Sequence, residues 1–306
     1  MDRLALESQS AMKHAAAAYV AEPDRLSGLP DSLLNFILSL SSMGARRLVQ
    51  LSTMSRRWRH LWREALCLDI GLQDFEAAGG DDMEKWARFN NFADSLVQQH
   101  GALGLDALRM HVVQPPKDNS WVYRYLARYS PVVLDIYNDS PGAHVELQRG
   151  MIEGIVLHRL TTLRLTGVTL CDGFEHLLGA AGCPLLEHLE LRDCLIGFQE
   201  VVTSRTLKTL VVDSSNMSMN QSPLRLCYTP RIVAPGLVSL ELVLLRTYVN
   251  LWDFETPSLV EAIVRMGRGC ESNEFELLCS LHNVTRLEIS TFPSLRSVRV
   301  LLPCVI

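Results

Sequence analysis

A chain of 306 residues with 48% hydrophobic content holds one small module and one larger core, a composition that excludes disorder over most of its length. Its net charge of -5 excludes the basic footprint that general nucleic-acid binding needs. Eight cysteines scattered among apolar positions, without a signal sequence or an apolar run of bilayer length, exclude a dense disulfide framework and a membrane span; they predict reduced thiols in the cytoplasm or nucleus.

Residues 1–22, where Asp2, Arg3, Glu7 and Lys13 mix with alanines, read as a loose tail. Order begins at Leu29-Pro30, because proline at a first helical position loses no needed hydrogen bond and Asp31 suits the positive helix N-terminus. Leu33, Leu34, Phe36, Ile37, Leu38 and Leu40 then fan over roughly 200° of the helix, about twice the stripe one core requires. One face is predicted to meet the module's own helices and the other a partner. Ser41, Ser42 and Gly44 interrupt the pattern, and Leu48, Val49 and Leu51 restart it. Ser55 reads as the cap before Trp58, Leu61, Trp62 and Ala65.

The result is three short helices over 23–65. A unit of about 40 residues is marginal alone, so its apolar excess marks a docking module. A helical subdomain covered by the rest of the chain is the competing reading. The basic run Arg56, Arg57, Arg59, His60 and Arg63 reads as the solvated face of the third helix rather than a nucleic-acid patch.

The order Leu-Pro, a Leu/Ile-rich helix, then Ser-Arg-Arg-Trp-Arg-x-Leu-Trp resembles the F-box, in the version carried by plant F-box proteins with leucine-rich repeats. The resemblance implies binding to a Skp-family adaptor and, through it, to the cullin and RING subunits of an SCF-type ubiquitin ligase. It also implies that Leu29, Pro30, Leu33, Leu34, Ile37, Leu38, Val49, Met54, Trp58, Leu61 and Trp62 form the adaptor face or the layer directly behind it. Gly44 and Arg47 depart from the family, which usually carries Pro and Asp there.

Residues 66–101 read as a linker: a strand over 66–70, a polar loop at Gly79-Gly80-Asp81-Asp82, and a helix bearing Trp86, Phe89, Phe92, Ala93, Leu96 and Val97 that stops at Gly101. From 102 to 306 the chain repeats. Leu160 to Val168 and Leu186 to Cys194 are the clearest copies of L-x-x-L-x-L-x-x-N/C, the leucine-rich-repeat signature. Weaker copies surround Leu108, Leu134, Leu207, Leu237 and Val284, and Leu259 to Val264 supplies the copy missing between two of them.

Each copy gives one short strand and a return segment, and stacking makes a curved solenoid. Thr162, Arg164, His188, Glu190, Arg192, Lys208, Ser239 and Glu241, lying between or beside the leucines, are the candidate target-binding residues on the concave face. The insert from Asp213 to Pro235, with Asn216, Met217, Met219, Asn220 and Pro223, is a candidate recognition loop, or a plain flexible one. The stretch from Thr256 to Ser290 also resembles the same family. Leu295 to Val300 reads as one more strand near the end of the chain, which relative to the family implies a shortened C-terminus.

No hydrolase elbow, phosphate-binding lysine loop or His-Glu-x-x-His motif is present, so no catalytic residue or cofactor is expected. Cys171, His176, Cys183, His188 and Cys194 form the best zinc constellation, but repeat positions already explain them as core cysteines and surface histidines. The fold expected is therefore α/β: a three-helix F-box followed by an irregular leucine-rich-repeat solenoid with a parallel sheet. The expected role is that of the substrate-recognition subunit of a ubiquitin ligase, holding an unknown target protein. A scaffold outside any ligase, or a shortened decoy of the adaptor, is the alternative.

Overall fold

The computed structural model describes residues 28–40, 43–54, 56–75, 79–102, 104–113, 120–138, 145–147, 154–179, 181–196, 201–215, 231–244, 253–267, 281, 284–291 and 296–301. The helix break at Ser41 and Ser42, the cap at Ser55, the insert beyond Ser215 and the N-terminal tail lie outside them.

Helix α1 (Asp31–Leu40) begins one residue later than its proline suggests. The Pro30 carbonyl accepts from the backbone N–H groups of Leu33 at 3.0 Å and Leu34 at 3.1 Å, so Pro30 caps the helix, where its missing N–H is equally harmless. Leu34 and Leu38 point into the core. Helix α2 (Ala45–Gln50), prolonged by a 3-10 turn at Leu51–Thr53, buries Ala45 and Leu48. Gly44 before it has φ -56° and ψ 146°, a backbone that proline also adopts. The Asp74 carboxylate lies directly over the Gly44 α-carbon, where an added Cβ would push that side chain aside. That carboxylate brings to the start of α2 the negative charge that Arg47 does not supply. Arg46 completes the clamp, donating to the Asp74 carbonyl at 2.5 Å with its guanidinium 4.5 Å from the centre of the Phe75 ring. Helix α3 (Trp58–Leu61) runs into a second 3-10 turn, burying Leu61, Trp62 and then Ala65, whose extended backbone hands the chain to the sheet.

Numbered in chain order, strands β1 (Cys67–Gly71), β2 (Ala107–His111), β3 (Val133–Tyr137), β5 (Thr162–Thr166), β7 (His188–Arg192), β10 (Thr209–Asp213), β12 (Ser239–Leu244), β14 (Glu261–Met266) and β15 (Arg286–Thr291) pair in that order, all parallel. The strand over 66–70 is thus the first rung of the same sheet as the repeats, and the copy sought between 259 and 264 is β14. Two small parallel sheets flank the large one: β4 (Val145–Leu147), β6 (Val168–Leu170) and β8 (Leu195–Ile196), and β9 (Val201–Thr203), β11 (Arg231–Val233) and β13 (Asp253–Glu255).

Register follows the leucines. Leu68, Leu108, Leu134, Leu163, Leu189, Leu210, Leu240, Ala262 and Leu287 occupy one row across the sheet. Ile70, Met110, Ile136, Leu165, Leu191, Val212, Leu242, Val264 and Ile289 occupy the next core row. Period-two alternation puts both rows on one side of the sheet, where a fully buried side chain of this size contributes about 1.5–3 kcal/mol.

The return segments differ along the solenoid. The first two are helices, α4 (Asp82–Gln99), capped by Asp81 accepting from the Glu84 N–H at 2.8 Å, and α5 (Ser120–Arg128). They meet through Phe89 and Trp121, edge to face with centroids 5.0 Å apart, and through the Tyr125 hydroxyl, which donates to the Ala93 carbonyl at 2.9 Å. A short helix, α6 (Phe174–Leu178), precedes β7, and the strands of the last flanking sheet take over in later rungs.

The strand read at 295–300 exists as β16 (Arg296–Leu301), but it is antiparallel to β15 and not another repeat. Only four residues, 292–295, separate the two strands, whereas a parallel return needs about a dozen or more. A hairpin is the one connection that fits.

The helical module and the solenoid share one core. His100 Nε2 lies 3.0 Å from the Ala65 carbonyl, the Gly101 N–H donates to the Arg63 carbonyl at 2.9 Å, and Arg128 donates to the His100 carbonyl at 3.3 Å. Burial pushes the His100 pKa below its ordinary value. The folded chain therefore keeps the ring neutral where the unfolded chain binds a proton. This contribution to stability is complete above the unfolded pKa of about 6.5 and is lost as pH falls below it. Thermal midpoints are expected to drop from neutral to mildly acid pH in the wild type and to drop less in His100→Gln, which keeps a donor without titrating; parallel profiles would refute the assignment.

At the end of β5, Gly167 has φ +66°, and a Cβ there would stand 2.6 Å from the Asn138 carbonyl oxygen. Gly167→Ala should lower stability by about 2 kcal/mol. Denaturant titration would show it as a lower midpoint at unchanged slope.

Candidate functional site

Two surfaces stand out, one on the helices and one on the sheet. On α1 the side chains divide by helical spacing: Leu34 and Leu38 turn inward, while Leu33, Phe36 and Ile37 are 48%, 58% and 43% exposed. Positions three and four apart share a face, so these three form a single apolar ridge. Met54, 72% exposed, lies between α2 and α3. Leu29, Val49 and Trp58 are partly buried against the core, Pro30 is exposed, and Leu61 and Trp62 are buried. The eleven residues named from the motif thus separate into an outer set and a supporting layer. Phe36, the most exposed member of the α1 ridge, is not a motif position; the i, i+3, i+4 spacing from Leu33 is the signal that identifies it.

The open face of the large sheet is a charged ladder. Its middle row runs Asp69, Arg109, Asp135, Arg164, Glu190, Val211, Glu241, Ile263 and Glu288. Opposite signs adjoin across neighbouring strands, the arrangement that stabilises cross-strand pairs. Arg109 lies 3.7 Å from Asp69 and 3.1 Å from Asp135, Arg164 lies 3.1 Å from Glu190, and Arg265 reaches Glu241 at 2.8 Å. Glu190 also accepts from Arg192, which stands 3.7 Å from Asp213. In these clusters the carboxylates sit low and the guanidinium groups above them: Asp69, Asp135, Glu190 and Asp213 are 18–21% exposed, against 46–52% for Arg109, Arg164 and Arg192. Burial raises the Asp69 pKa, with Arg109 opposing the shift.

Of the residues predicted for this face, Arg164, Glu190 and Arg192 come together in one network and Glu241 joins Arg265. Thr162, His188 and Ser239 share the first row, with Thr209 between the last two. Lys208 precedes β10 and pairs with Glu187 at 2.6 Å, which lowers the Glu187 pKa. Asp69, Arg109, Asp135, Asp213 and Arg265 are the members that sequence reasoning omits; the same L-x-L alternation in the weaker copies points to Arg109 and Asp135, extending β10 and β14 by one position points to Asp213 and Arg265, and Asp69 lies in the strand read as a linker. At the end near β1, His111 stacks on Tyr137 with centroids 5.0 Å apart, and Gln73 donates to the Tyr137 hydroxyl at 2.9 Å.

The five residues weighed as a zinc set are not gathered, and among the described residues no three His, Cys, Asp or Glu side chains could hold a metal ion. Cys171 donates to Glu146 at 3.2 Å, and Cys194 to the Leu165 and Arg192 carbonyls, both at 3.3 Å. Burial pushes the thiols of Cys171, Cys183 and Cys194 up to about 12, which keeps them protonated and poorly nucleophilic. Among the described residues no helix is long and apolar enough to cross a membrane.

No family model and no solved structure matches the chain. Curated proteins do. The chain is 34% identical over 234 residues to the meiotic F-box protein MOF of Oryza sativa subsp. japonica, an alignment covering 72% of this chain and 46% of the relative. It is 29% identical over 322 residues to an F-box/LRR-repeat protein of Arabidopsis thaliana, covering 91% of this chain and 66% of the relative. A second Arabidopsis F-box/LRR-repeat protein is 28% identical over 313 residues, covering 91% and 62%. The chain thus spans about half to two thirds of the length of these relatives. With the helical module, the leucine rows and these similarities in agreement, the chain belongs to the plant F-box/leucine-rich-repeat family.

Proposed function

We propose that this chain is the non-catalytic substrate-recognition subunit of an SCF-type cullin-RING ubiquitin ligase. The observation that carries the proposal is the apolar ridge of Leu33, Phe36 and Ile37, exposed beside Met54 on a helical module whose own core is already filled. Exposed apolar side chains gathered on one face mark an interaction site. Family membership supplies the class of partner, a small Skp-family adaptor that connects to cullin and RING subunits. In this role the outer residues insert into the adaptor, and Leu34, Leu38, Leu61 and Trp62 hold them in place from behind.

The sheet's open face is the proposed target site, with Thr162, Arg164, His188, Glu190, Arg192, Ser239 and Glu241 in its rows and Lys208 at its border. Its charges are paired within the protein, so a target would be selected by hydrogen-bond geometry more than by long-range attraction. Ubiquitin transfer needs no catalytic group here, because holding the target beside the charged conjugating enzyme raises its effective concentration. The reading places the chain in the cytoplasm or nucleus.

Binding of the purified chain to a purified Skp-family adaptor tests the proposal. Leu33→Asp buries a charge within the docked ridge and should cost more than about 2 kcal/mol, upwards of thirty-fold in Kd. Trp58→Ala should weaken binding as well. A folded wild type that does not bind would sink the ligase reading in favour of a scaffold; adaptor binding without turnover of any target would favour a decoy.

A further inference from the structure

Arg57 stands apart in a basic run whose other members, Arg56, Arg59, His60 and Arg63, are exposed. Its Nε and Nη2 both lie 2.6 Å from Asp31 Oδ1, and Nη2 also donates to the Leu29 carbonyl. From just ahead of α3, one guanidinium holds both the first residue of α1 and the residue before its proline cap. Two-thirds of its side chain is covered. The placement runs against helix electrostatics, since a cation at the start of α3 meets the positive end of that helix, and Asp31 offsets it. Lysine could not reproduce the contact, because an ammonium is a point charge without the planar fork that reaches two acceptors at once.

The consequence lies in what the two helices carry. Leu33, Phe36 and Ile37 are on α1, while Met54 and Trp58 come with the turn before α3 and with α3 itself. We infer that Arg57 is a positioning residue for adaptor docking, fixing the first turn of α1 against the start of α3 so that both sets of apolar side chains form one surface before the adaptor arrives. Without it, the first turn of α1 keeps its helical backbone bonds, two of them to Pro30, and the packing of Leu29 and Leu34, but loses its tie to α3, and the joint surface must be ordered during binding. This role rests on the reading of the helical module as the adaptor site.

The test compares Arg57→Ala, Arg57→Lys, Asp31→Asn and Asp31→Asn/Arg57→Ala with the charge-matched controls Arg56→Ala and Arg59→Ala. Each variant of the 306-residue chain is titrated against a purified Skp-family adaptor at low and high salt. Amide exchange at Leu33 and Leu34 is followed in the free chain. Arg57→Ala should bind roughly ten-fold more weakly, the scale of one lost charge-assisted hydrogen bond. Arg57→Lys should fall between, Asp31→Asn should lose less, and the double variant should be no worse than Arg57→Ala alone. The deficit should persist at high salt, and the two amides should exchange faster in Arg57→Ala than in either control. Equal losses in all three arginine variants that vanish at high salt would overturn the inference in favour of bulk charge; so would an Arg57→Ala chain that binds and exchanges like the wild type. Failure of the folded wild type to bind overturns the adaptor reading and this role with it, a result distinct from a wild type that binds and a variant that binds equally well.

Discussion

Everything in this fold depends on one constraint: parallel strands stacked in register must send alternate residues to opposite sides, and one of those sides must be buried. Leu163 pairs with Leu189 and Leu165 with Leu191, so Arg164 is forced opposite Glu190 on the other face. The charge ladder is therefore a by-product of the leucine register. A slip of one residue between neighbouring strands would place a guanidinium in the core and a leucine in water, which is why two core rows suffice to align nine strands whose return segments vary from long helices to three-residue strands.

A solenoid also has two ends, and each exposes a strand edge that must be dealt with. At the first end, β1 pairs on one side with β2 and has α2 packed beside it, reinforced by Arg46 and Asp74. The helical module therefore caps the sheet with its inner side, using Leu48, Leu61 and Trp62 in the same core that contains Leu68 and Ile70. Its outer side keeps an apolar ridge that stays exposed among the described residues. At the other end β16 turns back on β15, so the row of parallel repeats finishes in an antiparallel pair.

The parts of this architecture that were legible in the sequence are those governed by short-range periodicity. Apolar alternation located the nine parallel strands of the large sheet but not the short strands of the two flanking sheets, and the 3.6-residue pattern located α1, α3 and α4. Helix α5 carries an equally readable pattern in Trp121, Val122, Tyr125 and Leu126, all buried, but it lies between weak repeats where the leucine signature draws attention to strands alone. The direction of β16 was recoverable from loop length but not from composition, because a strand sequence does not record its direction. Arg57 was the hardest: a basic run on a short helix reads as solvated face, and its pairing with Asp31 depends on a chain reversal over 26 residues. Likewise, Gly44 reads in the sequence only as a departure from the family, while its neighbour in space, the Asp74 carboxylate, comes from the linker and is not apparent from local pattern.

The way the two surfaces are joined bears on the proposed role. A receptor that works by proximity needs its docking face and its target face held at a fixed relation, since a loose joint dilutes the effective concentration it creates. Here the 3-10 turn that prolongs α3 ends at Glu64 and β1 begins at Cys67, too short a connection for independent motion. His100 and Gly101, at the far end of α4, bond back to the Ala65 and Arg63 carbonyls and close the same junction from the other side. Burial of the His100 ring disfavours its charged form although the Ala65 carbonyl favours it, so the residue that closes this junction also links the stability of the fold to pH.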